Sequence, residues 1–268
     1  MAQPKPLAKP LTRASTPWGW AVGGSLLGLL VATFVFAPAR WLALAVNQAS
    51  QGQVVLSGAR GTVWRGSAQL VLSGGANSIG SVALPGIVNW NLKPVINGIQ
   101  ANITAPCCMT QALRATALPG WGGGRIVIND HASSWPAGLL VGLGTPWNTV
   151  QAQGTLAIAL NGLSLEWASG RLNLAGRVQV DAQDMASRLS TLKPMGSYRL
   201  TLTGGSVNAL QLETLQGSLL LNGSGQWVGG KLRFDGVASA LPERLDALSN
   251  LLNIIGRRDG ARAIIKVG

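Results

Sequence analysis

Two hydrophobic patterns divide this chain. Residues 18–37 (WGWAVGGSLLGLLVATFVFA) carry no charge, and only Ser25 and Thr33 among them are clearly polar. At about 1.5 Å per residue, a helix of that length spans about 30 Å, the hydrocarbon thickness of a bilayer. From Val54 onward the period falls to two. Ala68, Leu70 and Leu72 alternate with Gln69, Val71 and Ser73. Leu172, Leu174, Val178 and Val180 alternate with Arg171, Asn173, Arg177, Gln179 and Asp181. Tyr198, Leu200 and Leu202 interleave with Arg199, Thr201 and Thr203, as Leu232 and Phe234 do with Lys231, Arg233 and Asp235. One apolar and one polar face per strand, with Gly-rich turns between, is the pattern of antiparallel sheet. The fold expected is mainly β: a single N-terminal transmembrane helix, then repeated antiparallel strands with a few short helices, forming one curved sheet.

The flanks of the apolar run orient it. Lys5, Lys9 and Arg13 precede it without an acid, and Trp18, Trp20 and Trp41 stand at its edges as interfacial anchors. The positive-inside rule then assigns residues 1–17 to a cytoplasmic basic tail, 18–37 to the membrane, 38–53 to a membrane-proximal helix or linker, and 54–268 to an exported β-rich domain. A cleaved signal peptide is the rival, because Ala37-Pro38-Ala39 has the small-x-small form of a cleavage site. A signal h-region, however, usually runs about 7–15 apolar residues, and this run is longer. The pairs Gly19/Gly23 and Gly24/Gly28 also suit a retained helix that packs closely on another, although Gly is in any case frequent in membrane helices.

The strands recur as a set. Residues 167–176 match 227–236 sixty positions later, and Gln153-Gly154 and Gln216-Gly217 precede them in turn. This predicts a strand–strand–strand–helix–strand unit over about 150–205 and again over 214–268, stacked into one sheet. The helices fall at 185–192 and 242–255, the closing strands at 196–203 and 261–267. A fainter copy has a strand at 64–72, a helix at 109–118 and a strand at 124–129. In the last helix Pro242 suits the first turn, Glu243 the positive end of the dipole, and Gly256 a left-handed cap. Leu241, Leu245, Leu248, Leu252 and Ile255 form its apolar stripe. Its strand is expected to close the sheet edge.

Charge changes the picture by its distribution. The net charge is +12, yet residues 1–129 hold nine Lys/Arg and no acid, while 130–268 hold twelve against nine acids. The basic residues are strewn singly, without the run or basic helix that nucleic-acid binding uses. Anionic headgroups or an acidic partner fit better. Cys107 and Cys108 are adjacent, with Cα atoms about 3.8 Å apart, below the usual disulfide range, so a structural role is favoured over a redox pair or an intermolecular bridge.

No constellation for chemistry emerges. His131 is the single histidine and has no GxSxG nucleophile and no near Cys or His for zinc. Gly122-Gly123-Gly124 lacks a following phosphate-binding helix. Asp181 and Asp184, three apart, read as N-terminal caps of the helix at 185–192. The ten Trp suit a core better than sugar or base stacking. The expectation is a protein that is not an enzyme, with no catalytic, cofactor-binding or metal-ligating residues and no cofactor.

The order of features resembles a known family. After the basic tail and single helix come Gly61-Thr62-Val63-Trp64-Arg65-Gly66, then Leu84-Pro85-Gly86-Ile87-Val88-Asn89-Trp90-Asn91-Leu92-Lys93-Pro94. Gly196-Ser197-Tyr198-Arg199-Leu200 and a Leu-rich closing helix follow. Over 15–95 and 180–268 this is similar to type II secretion system protein N, so Gly61, Trp64, Gly66, Leu84, Pro85, Gly86, Trp90, Gly196, Tyr198 and Leu200 stand as family motif positions with a structural role. The resemblance implies a non-catalytic, single-pass accessory component in the inner membrane of Gram-negative bacteria, with the bulk of the chain periplasmic. Its implied partners are other secretion subunits and membrane lipid, and its task is support for export of folded proteins across the outer membrane. The repeats also resemble AsmA-like proteins, which implies the alternative of a periplasmic groove carrying lipid or extended peptide.

Overall fold

The computed structural model describes residues 18–75, 80–168 and 170–268. They fall into two compact units, dividing after Ala37. The first contains α1 (Trp18–Val35), an uncharged helix with no buried residue. It stops two residues short of the expected end, as Pro38 approaches and disfavours helical geometry before it. The basic tail at 1–17 lies outside the described residues.

The second unit starts with α2 (Ala39–Ala49) and continues as strands. These are β1 (Val54–Gly61), β2 (Arg65–Ser73), β3 (Ser81–Ala83), β4 (Val88–Val95), β5 (Gly98–Thr104), β6 (Leu113–Gly120), β7 (Gly123–Ile128) and β8 (His131–Pro136). A 3₁₀ segment (Ala137–Leu143) and the short α3 (Trp147–Val150) intervene. Then come β9 (Gln153–Ala168), β10 (Arg171–Ala186), β11 (Gly196–Gly204), β12 (Ala209–Gly217), β13 (Leu219–Val228) and β14 (Lys231–Ala240). A 3₁₀ turn (Pro242–Arg244) leads into α4 (Leu245–Ile255), and β15 (Arg257–Asp259) and β16 (Arg262–Val267) close the chain. The strands form one curved sheet in the order β1-β2-β4-β5-β6-β7-β9-β10-β11-β12-β13-β14-β16-β15, with β3 beside β2 and β8 beside β9.

Neighbours are antiparallel throughout, so turns alternate between two ends of the sheet. At one end sit tight hairpins: residues 62–64, 96–97, 121–122, 205–208 and 229–230. Gly229 and Gly230, at φ +59 and +84, form the last of these, because a two-residue turn that matches strand twist needs positive φ at both positions. At the other end longer connections fold back over the inner face. There Leu248, Leu251 and Leu252 of α4 pack with Tyr198, Ala238 and Ala263 in the largest core cluster. Two smaller clusters lie on the N-terminal strands, one around Leu84, Ala105, Cys108 and Leu139, the other around Ala39, Ala68 and Trp90.

The two segments matched in sequence, 167–176 and 227–236, each span a hairpin turn, in β9–β10 and β13–β14, but the helices expected after them differ. No helix forms at 185–192. Strand β10 runs to Ala186, and the Ser187 and Ser190 hydroxyls accept hydrogen bonds from the amides of Leu189 and Leu192 at 3.1 Å each. Such serine turns compete with helix. Asp181 is therefore mid-strand rather than a cap, and Asp184 sits at a bulge with φ +50. The helix expected at 109–118 is likewise absent, for Ala115 and Ala117 pair with β5 and β7 in β6, where cross-strand partners outweigh helical spacing. Gly256 is extended at φ −168 rather than left-handed, because the chain passes directly into β15. That three-residue strand, not β16, is the outermost at this edge. Cys107 and Cys108 are joined to each other, in a tight turn whose Cys108 and Met109 amides both donate to the Ala105 carbonyl.

Candidate interaction site on the N-terminal strands

The turn between β1 and β2 organises this region. Thr62 closes it twice: its amide donates to the Arg65 carbonyl at 2.9 Å, and its hydroxyl accepts from the Arg65 amide at 3.1 Å. Residue Pro38 bridges to Thr62, and the Leu92 amide of β4 donates to the Trp64 carbonyl at 2.7 Å. The Trp90 indole donates to the Val63 carbonyl at 3.0 Å. Its ring covers Gly66 so closely that a Cβ there would stand 2.5 Å from it and 2.6 Å from the Arg60 carbonyl. Only glycine fits beneath that ring.

Four motif positions, Gly61, Trp64, Gly66 and Trp90, thus meet at one brace. The others lie elsewhere. Leu84 is fully buried in its own cluster, while Pro85 and Gly86 form an exposed bend. Gly196, Tyr198 and Leu200 belong to β11. Tyr198 is buried, its hydroxyl has no hydrogen-bond partner, and burial pushes its phenol pKa up. A Cβ on Gly19, Gly23, Gly24 or Gly28 meets nothing within 4 Å in α1.

On the outer face above the brace is a feature that the sequence reading missed. Arg60, Arg65, Asn89, Asn91, Asn102 and Thr104 line a shallow depression of about 460 Å³. Register explains the gathering, since Arg65 pairs with Asn91, Asn91 with Asn102, and Asn102 with Arg114 across four adjacent strands. The available signal was the polar parity of Asn89, Asn91 and Lys93 against Gln100, Asn102 and Thr104. Guanidinium forks beside carboxamide donors can take carboxylate or phosphate oxygens bidentately. No carboxylate pairs with Arg60, Arg65 or Lys93 among the described residues.

The outer face of the later strands is closed by comparison. Arg199 donates to both oxygens of Asp181 at 2.7 and 2.8 Å, and Gln179 donates to the same carboxylate. The guanidinium holds the Asp181 carboxyl below the usual carboxylate range despite opposing desolvation, and the carboxylate raises Arg199 in return. His131 has a buried, unpartnered Nε2. Among the described residues no group of three or more His, Cys, Asp or Glu could hold a metal ion.

One N-terminal apolar helix, long and apolar enough to be a candidate membrane span, followed by a single curved antiparallel sheet, defines a β-scaffold protein. A profile of the family described as Type II secretion system (T2SS), protein N, matches residues 52–265, which takes in nearly the whole sheet. The chain belongs to that family. No curated protein and no solved structure matches it.

Proposed function

We propose that this chain is a non-catalytic accessory component of the type II secretion machine, held in the inner membrane by α1 with its N-terminus cytoplasmic and its sheet in the periplasm. The family match along the sheet carries this proposal. The uncharged helix, preceded by Lys5, Lys9 and Arg13, supports the topology. In this role the sheet supports export of folded proteins through contacts with other secretion subunits.

The test is deletion of the gene with cargo activity measured in the medium and in the periplasm. Cargo should accumulate in the periplasm and return to the medium on complementation. Undiminished secretion in the deletion strain would end the proposal. Alkaline extraction should leave the full-length chain in the membrane pellet; a soluble form beginning near Arg40 would restore the signal-peptide alternative.

One observation favours the carrier as a second reading. On the inner face Trp167 and Leu172 pair across β9 and β10, yet they are 40% and 63% exposed. An apolar strip left open there suits a lipid chain or an extended peptide. Mass spectrometry of the purified full chain should then show a co-purifying lipid or peptide that Leu172→Asp removes.

A further inference from the structure

The two most exposed large apolar side chains of the sheet unit stand at hairpin tips of its N-terminal strands. At the β4–β5 tip Ile96 is 101% exposed, and at the β6–β7 tip Trp121 is 108% exposed. Single exposed apolar residues are ordinary, but these two crown adjacent hairpins and Val95 and Ile99 flank the first of them. Lys93 stands exposed on the outer face of β4, and Arg60 and Arg65 stand exposed on the same face of the neighbouring β1–β2 hairpin, in a stretch with no acid before Asp130. Arg125 is there too, already paired with Glu166 at 2.8 Å. The opposite end of these strands instead turns its apolar groups inward, as Leu84, Ala105 and Leu139 are all buried.

The residues that follow α1 in the chain lie at this end of the sheet. The third tip, residues 62–64, is bridged to Pro38 through Thr62. Pro38 follows Val35, the last residue of α1, by three positions, a reach of about 10 Å at full extension. Strands lie about 4.8 Å apart, so six of them place the three tips within about 25 Å of one another. Tryptophan and isoleucine at tips, with cations on one face of the neighbouring strands, is the composition of a bilayer interface, where aromatic rings sit at headgroup depth and cations meet lipid phosphate.

We propose that the three hairpin tips of β1–β2, β4–β5 and β6–β7 rest on the bilayer that α1 enters, with Ile96 and Trp121 inserted among the headgroups and Arg60, Arg65 and Lys93 on anionic lipid phosphates. This rests on α1 being a membrane anchor, and the sheet then works at the membrane surface rather than at the end of a free tether. The tip exposure, the missing acids and the short covalent reach are three separate observations converging on that edge.

The test uses the full chain in vesicles of phosphatidylethanolamine and phosphatidylglycerol. Single cysteines replace Leu26, Ile96, Trp121 and Thr191 in turn and carry an environment-sensitive fluorophore, while Cys107 and Cys108 remain paired. Probes at 26, 96 and 121 should be quenched by nitroxide-labelled phospholipid and shielded from iodide, whereas the probe at Thr191, on the opposite end, should show the reverse. The triple variant Arg60→Gln, Arg65→Gln, Lys93→Gln should weaken lipid quenching at 96 and 121 several-fold and leave 26 unchanged. Iodide-accessible tips beside a lipid-quenched Leu26 probe would overturn the proposal while the anchor stands. An iodide-accessible Leu26 probe would remove both. Tips shielded from iodide in native membranes but not in pure vesicles would assign this edge to a protein partner and overturn the lipid proposal.

Discussion

Strands β1–β7 and β9–β16 belong to one sheet and obey one register, yet they use their side chains differently. In the later strands α4 covers the inner face of β14–β16, with Leu248, Leu251 and Leu252 almost wholly buried, and the outer face of β10 and β11 holds the bidentate Asp181–Arg199 pair. In the earlier strands the clusters are smaller, Arg60, Arg65 and Lys93 on the outer face have no carboxylate partner among the described residues, and Ile96 and Trp121 stand in the open at the tips. The charge record agrees, for nine basic residues and no acid precede Asp130 while twelve against nine acids make up the remainder. The difference puts the largest packed cluster on β9–β16 and the cations without carboxylate partners on β1–β5.

The largest effect that can break this division is in the core. Leu252→Ala removes a fully buried side chain beneath α4 and should cost about 2–5 kcal/mol. Trp121→Ala, at a fully exposed tip, should change stability by less than about 0.5 kcal/mol. Denaturant unfolding of both variants in detergent measures the contrast. Similar losses would mean that the tip is part of a packed structure after all.

The brace of the N-terminal strands is the next largest. Gly66→Ala pushes a methyl against the Trp90 ring and the Arg60 carbonyl, and overpacking of this kind costs about 1–3 kcal/mol. Combining it with Trp90→Leu, which vacates the ring position, should recover part of that loss in a double-mutant cycle. Strict additivity would show that the backbone, not the ring, excludes the methyl.

Most of the architecture was legible because it depends on period. Alternation at Leu70/Leu72, Leu172/Leu174 and Leu200/Leu202 announced the strands, and the Pro242-to-Ile255 stripe announced α4. The two false helices were errors of locality. At 109–118 the pairing of Ala115 and Ala117 with both neighbours is decided by residues distant in sequence, and at 185–192 the serine turns supply their own hydrogen bonds. The Arg60–Asn102 depression was hidden for the same reason. Its residues come from four strands, and only the register brings them to one face. The brace, by contrast, was half legible: Gly61, Gly66 and Trp90 were singled out as positions, but not the contact that joins them.

A smaller effect probes the closed outer face. Asp181→Asn should cost about 1 kcal/mol, since the pair is bidentate but partly exposed. The sign with pH follows from the depressed carboxyl: its stabilisation is present above the usual carboxylate range and lost as pH falls through the lower folded value. The difference between native chain and variant should shrink in acid. Arg65→Gln, with no partnering carboxylate, should show no such convergence, and if it does the two faces are not distinct in the way described.

Smallest at neutral pH is Tyr198→Phe, and it tests how complete the closure of β9–β16 is. Tyr198 is the single tyrosine of the chain, buried in the largest cluster with an unpartnered hydroxyl. Removing that oxygen strands no partner, so the variant should match the native chain at pH 7 or slightly exceed it. In alkali the two should separate. The folded phenol is held neutral by burial, while in the unfolded chain it loses its proton near pH 10. Above that point the unfolded state binds fewer protons, and the native chain should lose about 1.4 kcal/mol per pH unit relative to Tyr198→Phe. Taking the difference between the two proteins cancels the titration of lysines common to both. A variant that is less stable already at pH 7 would show that the hydroxyl has a bound partner in solution, and the later strands would then hold an occupied polar site rather than a sealed core.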